Sequence, residues 1–284
     1  MRGGLRLLGR VGLVRIARFT IGEDPLFGVV SGELDQFGQP AEDSVLVELT
    51  GDPLYVGIKP TQTEHRLADV RLLAPVIPRS KVVAIGKNYA AHAAEMGGEV
   101  PDEPMMFLKP NTSVVGPGDP VYYPPQSERV DYEGELAVVI GRICRDVPPN
   151  IDDVNSVIWG YTIANDVTAR DLQKKDVQFT RAKGFDSFCP LGPWIETDFD
   201  PQTFADGVSI QTHLNGDLVQ DGSTKDLIFD IPTLVAHITS VMTLLPGDVI
   251  LTGTPEGVGP MQIGDEVEVS IAGLGALTNT VVKR

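Results

Sequence analysis

Apolar and polar positions change their rhythm twice along this chain. Over the first fifty residues the apolar positions fall in short alternating runs, VRIARFTIG, LFGVVSGELD and SVLVEL, the period of half-buried strands. Pro75 and Pro78 then bracket an extended connector, RLLAPVIPRSK. A boundary is expected there, between a small β-rich unit over 1–75 and a larger one over 76–284. In the larger part KVVAIG, ELAVVIG and VIWGYTIAND are apolar runs of strand length. NYAAHAAEMGG predicts a short helix with Asn88 as N-cap and Gly97-Gly98 as its stop. VTARDLQKKD is polar and helix-compatible, and Asn215-Gly216 between short arms predicts a hairpin. IPTLVAHITSVMTLLPGD has apolar residues at helical spacing and is expected to stop at Pro246-Gly247. VILTG, GDEVEVSI and GALTNTVV close the chain as strands. Strands outnumber helices without regular alternation, so the expectation is a β-rich α+β fold rather than a doubly wound sheet.

Composition narrows the functional classes. Hydrophobic residues at 42% and charged residues at 22% are ordinary for a globular protein, and 30 Gly with 22 Pro suit a turn-rich β chain. A net charge of −16 repels nucleic acid and anionic membrane surfaces, so neither is expected as a partner. No apolar run reaches bilayer length. Cys144 and Cys189 form neither a metal-ligand spacing nor a redox motif, which suits reduced thiols and a cytoplasmic location. Residues 1–13 are basic but broken by Gly and Arg, and read as an extension rather than a secretory signal.

Candidate chemistry sits in a few short segments. Asp131-Tyr132-Glu133-Gly134-Glu135 leads into an apolar strand. Alternation there puts Glu133 and Glu135 on one face, roughly 7 Å apart, as hard oxygen donors for Mg²⁺ or Mn²⁺. The plain alternative is a solvated strand end. Asp166 ends another apolar run, either as a third carboxylate or as the cap of the segment after it. His92 and Glu95 share a helix face, so the carboxylate can orient the imidazole as a general base; the alternative is a surface ion pair. Lys183 lies in a run rich in Gly and Pro, where a loop lysine is usually solvated. Thr252–Pro260, TGTPEGVGP, lacks a nucleotide-binding pattern but can offer N–H and hydroxyl donors to a carboxylate.

Taken in order, GKNYAAHAAEMGG, FLKPNTSVVGPGDPV, YEGELAVVIG, YTIANDVTARDLQ, RAKGFDSFCPLGPW and LLPGDVILTGTPEGVGP resemble the fumarylacetoacetate hydrolase family from Lys81 to the C-terminus. The first 80 residues are similar, less specifically, to the leading domain of bacterial members. The resemblance implies stacked and rolled β-sheets, a homodimer, and Mg²⁺ (or Mn²⁺ or Ca²⁺) in each catalytic domain. It implies Glu133, Glu135 and Asp166 as metal ligands, His92, Glu95 and Lys183 as catalytic residues, and Gln173 and Thr254 as substrate contacts. It further implies a small keto- or enol-acid substrate, with C–C hydrolysis of a 2,4-diketo acid as the leading expectation. Isomerisation of a 2-hydroxy-dienoic diacid and decarboxylation of oxaloacetate are the enzymatic alternatives; a ligand-binding β protein without activity is the non-enzymatic one.

Overall fold

The structure, a computed structural model, describes residues 14–284 apart from 23, 36, 37, 42 and 200. The expected extension over 1–13 lies outside the described residues. The fold is β-rich, with short helices set between strands.

A twelve-stranded sheet forms the frame. Its main path runs Pro60–Arg66, Val45–Leu49, Leu26–Ser31, Arg15–Thr20, Cys189–Glu196, Ile158–Asn165, Gly134–Ile140, Val249–Leu251, Val82–Gly86 and Met105–Lys109. The N-terminal strands therefore continue the sheet of the later chain, joined where Arg15 and Ile16 pair with Glu196 and Ile195. Among the described residues a five-stranded sheet and a three-stranded sheet accompany it. Asn215 and Gly216, with φ of 53° and 86°, turn the expected hairpin between Ser209–Leu214 and Asp217–Ser223.

The strand Gly134–Ile140 is buried at every position, which explains its unbroken apolar run. One face sends Leu136, Val138 and Ile140 into a core shared with Leu234, Val235 and Ile238 of the helix Ile231–Val241. The other sends Ala137 and Val139 against Leu191, Ile195 and Val249. At Gly134 an added Cβ would lie 2.4 Å from Thr212 Oγ1 and 2.9 Å from Val269 Cγ1, so the approach of the five-stranded sheet requires glycine.

Helix ends depart from expectation. The helix Ile231–Val241 is capped by Asp230, which accepts from Thr233 N at 2.9 Å, but it stops at Val241, before Pro246-Gly247. Near that end Thr239 and Ser240 bond back to the carbonyls of Val235 and His237, and Leu244 bridges to Cys144 as extended chain. The helix Ala90–Glu95 has Tyr89, not Asn88, at its N-cap. Thr168–Ala169 is strand, and the helix after it spans only Arg170–Lys175. Cys144 and Cys189 are buried and free. Among the described residues no helix is long and apolar enough to cross a membrane.

Candidate metal centre and active site

Strand register explains how distant carboxylates meet. Gly134 pairs with Asn165 and Glu135 with Ala164, antiparallel, so one step further brings Glu133 opposite Asp166. Backbone bonds lock that step: Asp166 N donates to Glu133 O at 2.8 Å, and Glu133 N donates to Asn165 Oδ1 at 2.9 Å. Glu133, Glu135 and Asp166 each bring a carboxylate oxygen within 4.8 Å of the others. Their exposures are 4%, 1% and 1%, so the solvated strand end is excluded. Asp166 does not cap the following helix, whose N-cap is Ala169.

Cations neutralise this cluster unevenly. Lys183 Nζ donates to Glu133 Oε2 and Asp166 Oδ2, both at 2.7 Å. It is buried on the short helix Thr180–Lys183, not solvated on a loop. Arg170 Nη2 donates to Glu133 Oε1 at 2.6 Å, while its Nε donates to Asp131 Oδ2 at 2.9 Å. Lys109, fully buried, donates to Asp166 Oδ1 at 2.5 Å. Glu135 has no such partner among the described residues; its Oε2 accepts only from Gly253 N, at 2.6 Å.

The protonation equilibria follow. Burial raises Glu133, but Lys183, Arg170 and His92 outweigh it and hold that carboxyl far below its usual range. Burial, followed by the charges of Asp166 and Glu133, pushes Glu135 well above its usual range. Three buried oxygen donors with one anion unmatched fit a hard divalent cation. Asp166, though bonded to two lysines, keeps lone pairs for such an ion, because each carboxylate oxygen accepts more than once.

The histidine pair is not a surface ion pair. His92 is 5% exposed, and its Nδ1 lies 3.3 Å from Glu95 Oε2. Glu95 in turn accepts from Gly257 N at 3.2 and 3.3 Å. The glycine-rich loop thus spends two of its N–H groups on the protein's own carboxylates, Glu135 and Glu95. Thr254 accepts from Gln220 Nε2 at 2.9 Å, and Gln173 accepts from Arg170 Nη1 at 2.7 Å.

A cavity of about 190 Å³ gathers His92, Glu133, Glu135, Gln173, Lys183 and Thr254 on its wall. Asp166 and Glu95 stand one layer back, against Lys183 and His92. The sequence reading missed Asp131, Lys109 and Arg170. Asp131 is legible by the alternation that pairs Glu133 with Glu135. Lys109 had a faint signal, a single lysine closing the apolar strand Met105–Lys109 before Pro110.

The fumarylacetoacetate (FAA) hydrolase C-terminal domain matches residues 81–282, and the Rv2993c-like N-terminal domain matches 14–75. The chain belongs to the fumarylacetoacetate hydrolase family. It is 48% identical to protein Rv2993c of Mycobacterium tuberculosis over 271 residues, 95% of this chain and 99% of that one. With oxaloacetate tautomerase YisK of Bacillus subtilis it shares 41% over 228 residues, 76% of this chain and 75% of that protein. Among solved structures, a 5-carboxymethyl-2-hydroxymuconate delta-isomerase from Mycobacterium smegmatis superposes with a TM-score of 0.84 at 48% identity. It covers 95% of this chain and 100% of its own. The fumarylpyruvate hydrolase of Pseudomonas aeruginosa, in complex with Mn²⁺ and pyruvate, gives a TM-score of 0.67 at 32% identity. There the coverage is 73% of this chain and 91% of that one. Members of the family are enzymes, among them isomerases, tautomerases and hydrolases.

Proposed function

We propose that this fumarylacetoacetate hydrolase family member is a metal-dependent enzyme that generates and consumes the enolate of a 2-keto acid. One observation carries the reading: Glu133, Glu135 and the ammonium of Lys183 line a cavity whose wall also holds His92, with the third buried carboxylate, Asp166, clustered directly behind them. Glu133, Glu135 and Asp166 would hold the divalent ion, Mg²⁺ or Mn²⁺. When bound, it supplies Lewis-acid stabilisation of negative charge on a chelating keto oxygen.

The chain's own groups supply the rest. Lys183 places a fixed positive charge where the enolate oxygen develops. Glu95 engages His92 Nδ1, which orients the ring and leaves Nε2 for the cavity as a general base. Gln173 and Thr254 contribute polar contacts to the substrate.

In the leading reaction, hydrolysis of a 2,4-diketo acid, His92 takes a proton from water that attacks the distal carbonyl. The C–C bond then breaks, its electron pair passes to the 2-keto-acid fragment as enolate, and the proton returns to carbon. The second reading is tautomerisation or isomerisation, in which His92 moves a proton at the carbon beside the keto group and no water adds. Likeness to the oxaloacetate tautomerase favours this second reading. Both use the same stabilised enolate.

The test is turnover of acetylpyruvate, fumarylpyruvate, oxaloacetate and a 2-hydroxy-dienoic diacid with Mg²⁺ or Mn²⁺ and an EDTA control, products assigned by NMR. Two acids identify hydrolysis; an isomer or accelerated keto–enol exchange identifies the second reading. No metal-dependent turnover of any of them refutes the proposal.

A further inference from the structure

Lys109 is a buried lysine that the proposed reaction does not use. It ends the strand Met105–Lys109 and does not line the cavity where Lys183 stands. Its ammonium donates to Asp166 Oδ1 at 2.5 Å and to Val167 O at 3.4 Å. Asp166 Oδ2 accepts from Lys183 at 2.7 Å, so one carboxylate is held between two ammonium groups. Orientation of Asp166 does not call for the second. Lys183 already fixes one oxygen, and the bond from Asp166 N to Glu133 O fixes the backbone. Burying an ammonium is costly, so what Lys109 adds is its charge.

The charge balance of the cluster turns on that addition. Asp131, Glu133, Glu135 and Asp166 are buried, as are Lys109, Arg170 and Lys183. Direct ion pairs join all of them except Glu135. Arg129, which also reaches Asp131, is half exposed and screened by solvent. With Glu135 ionised, four buried anions face three buried cations. A divalent ion converts that single negative surplus into a single positive one, which surroundings this buried screen poorly. A monovalent anion beside the ion restores the balance. Without Lys109, the ion alone balances the cluster.

We propose that Lys109 makes the metal centre depend on an anionic ligand. Acting through Asp166, it weakens the divalent ion bound alone and favours the ion bound together with an anionic oxygen chelator. The inference rests on the metal-dependent reading above and deepens it by assigning how that site is filled. Lys109 is a positioning residue; it touches neither the substrate nor the reacting atoms.

The experiment measures Mn²⁺ binding to the metal-free protein by calorimetry at one pH, with and without saturating oxamate. Oxamate is a monoanionic mimic of a 2-keto acid with no enolisable hydrogen, so no turnover intervenes. The proteins are wild type, Lys109→Met, which keeps much of the side chain's bulk without its charge, and Asp131→Asn, which removes one of the anions. In wild type, oxamate should tighten Mn²⁺ about tenfold or more, and Mn²⁺ should tighten oxamate by the same factor. Lys109→Met should bind Mn²⁺ alone about 10- to 100-fold more tightly, the scale of groups that contact a metal's ligands, and the effect of oxamate should shrink. Asp131→Asn should do the reverse, weakening Mn²⁺ alone and enlarging the effect of oxamate. Opposite signs separate charge from structural damage, which weakens binding in both variants. Wild-type Mn²⁺ binding that oxamate leaves unchanged, or weaker Mn²⁺ binding in Lys109→Met, overturns the inference and leaves the metal centre standing. No Mn²⁺ binding to wild type, with or without oxamate, overturns both. If Lys109→Met does not fold, wild type and Asp131→Asn decide by the same signs.

Discussion

Glu135 is the carboxylate the fold leaves without a cation, and its chemistry is therefore the most conditional. Burial and two neighbouring anions favour its protonated form, so an incoming divalent ion must expel a proton from it. Affinity for Mn²⁺ should fall about tenfold for each unit of pH decrease through the range where Glu135 is protonated. Calorimetry in buffers of different ionisation enthalpy will show the released proton; pH-independent affinity would remove Glu135 from the ligand set. Glu135→Gln should abolish binding while leaving stability equal or higher, because a neutral amide replaces a buried acid. His92→Ala, by contrast, should keep the metal and lose about 10²- to 10⁴-fold in turnover, the share of positioned acid–base catalysis. Glu133 and Glu135 were legible as a pair because strand alternation is a local rule, whereas Asp166 offered in sequence only the end of an apolar run and entered the ligand set through the resemblance. Lys109 and Arg170 were not, since their partners lie 57 and 37 positions away and are chosen by strand register, which no local pattern encodes. Thr254 and Gln173 are placed on the cavity, but each already holds a protein partner, a commitment that spacing does not reveal.

The helix Ala90–Glu95 is the element whose behaviour decides access to the cavity. It is short, and its backbone bonds alone give little stability. Two side chains hold it: Asn88 below its first turn, and Glu95, which reaches Gly257. Asn88 looked like an N-cap because asparagine before an alanine-rich run is the usual cap signature. Its side chain is instead consumed by Phe229 and Thr252, from segments more than 140 positions away in sequence. At the other end Gly97 adopts φ 69°, and Gly98 N closes onto Ala93 O, a left-handed stop of the expected kind. If this helix is a lid, its amides should exchange faster than those of the strand Gly134–Ile140, and Mn²⁺ with oxalate should slow them. Exchange as slow as the core strand before ligand is added counts against opening. Asn88→Ala should destabilise by about 1–3 kcal/mol, the cost of unpaired buried backbone groups, and accelerate exchange throughout the helix.

At the scale of the whole molecule, the N-terminal strands and the later chain share one sheet, a union that neither segment's pattern foretells because its register joins residues far apart in sequence. The seam carries a buried ion pair. Arg15 Nε lies 3.1 Å from Glu196 Oε2 without a hydrogen-bond alignment, and Arg15 Nη2 donates instead to Gly273 O at 2.7 Å. Burial pushes Glu196 up to about 7, and the attraction of Arg15 offsets only part of that. The folded protein thus binds this proton more tightly than the unfolded chain, whose carboxyl titrates near 4.5. The stability this group contributes is complete below about pH 4.5, declines as the pH rises to about 7, and is lost above it. The decline is at most about 3.5 kcal/mol, since each pH unit between those two values is worth about 1.4 kcal/mol. Because the seam is common to both parts of the sheet, the loss should appear as one cooperative transition rather than as release of the N-terminal strands alone. Urea unfolding of the metal-free protein between about pH 5 and about pH 8 tests this, with Glu196→Gln as the reference. The Gln variant should match wild type at the acid end and gain on it steadily toward the alkaline end. Parallel pH profiles for the two proteins would mean that Arg15 fully compensates the carboxylate and that the seam carries no pH dependence.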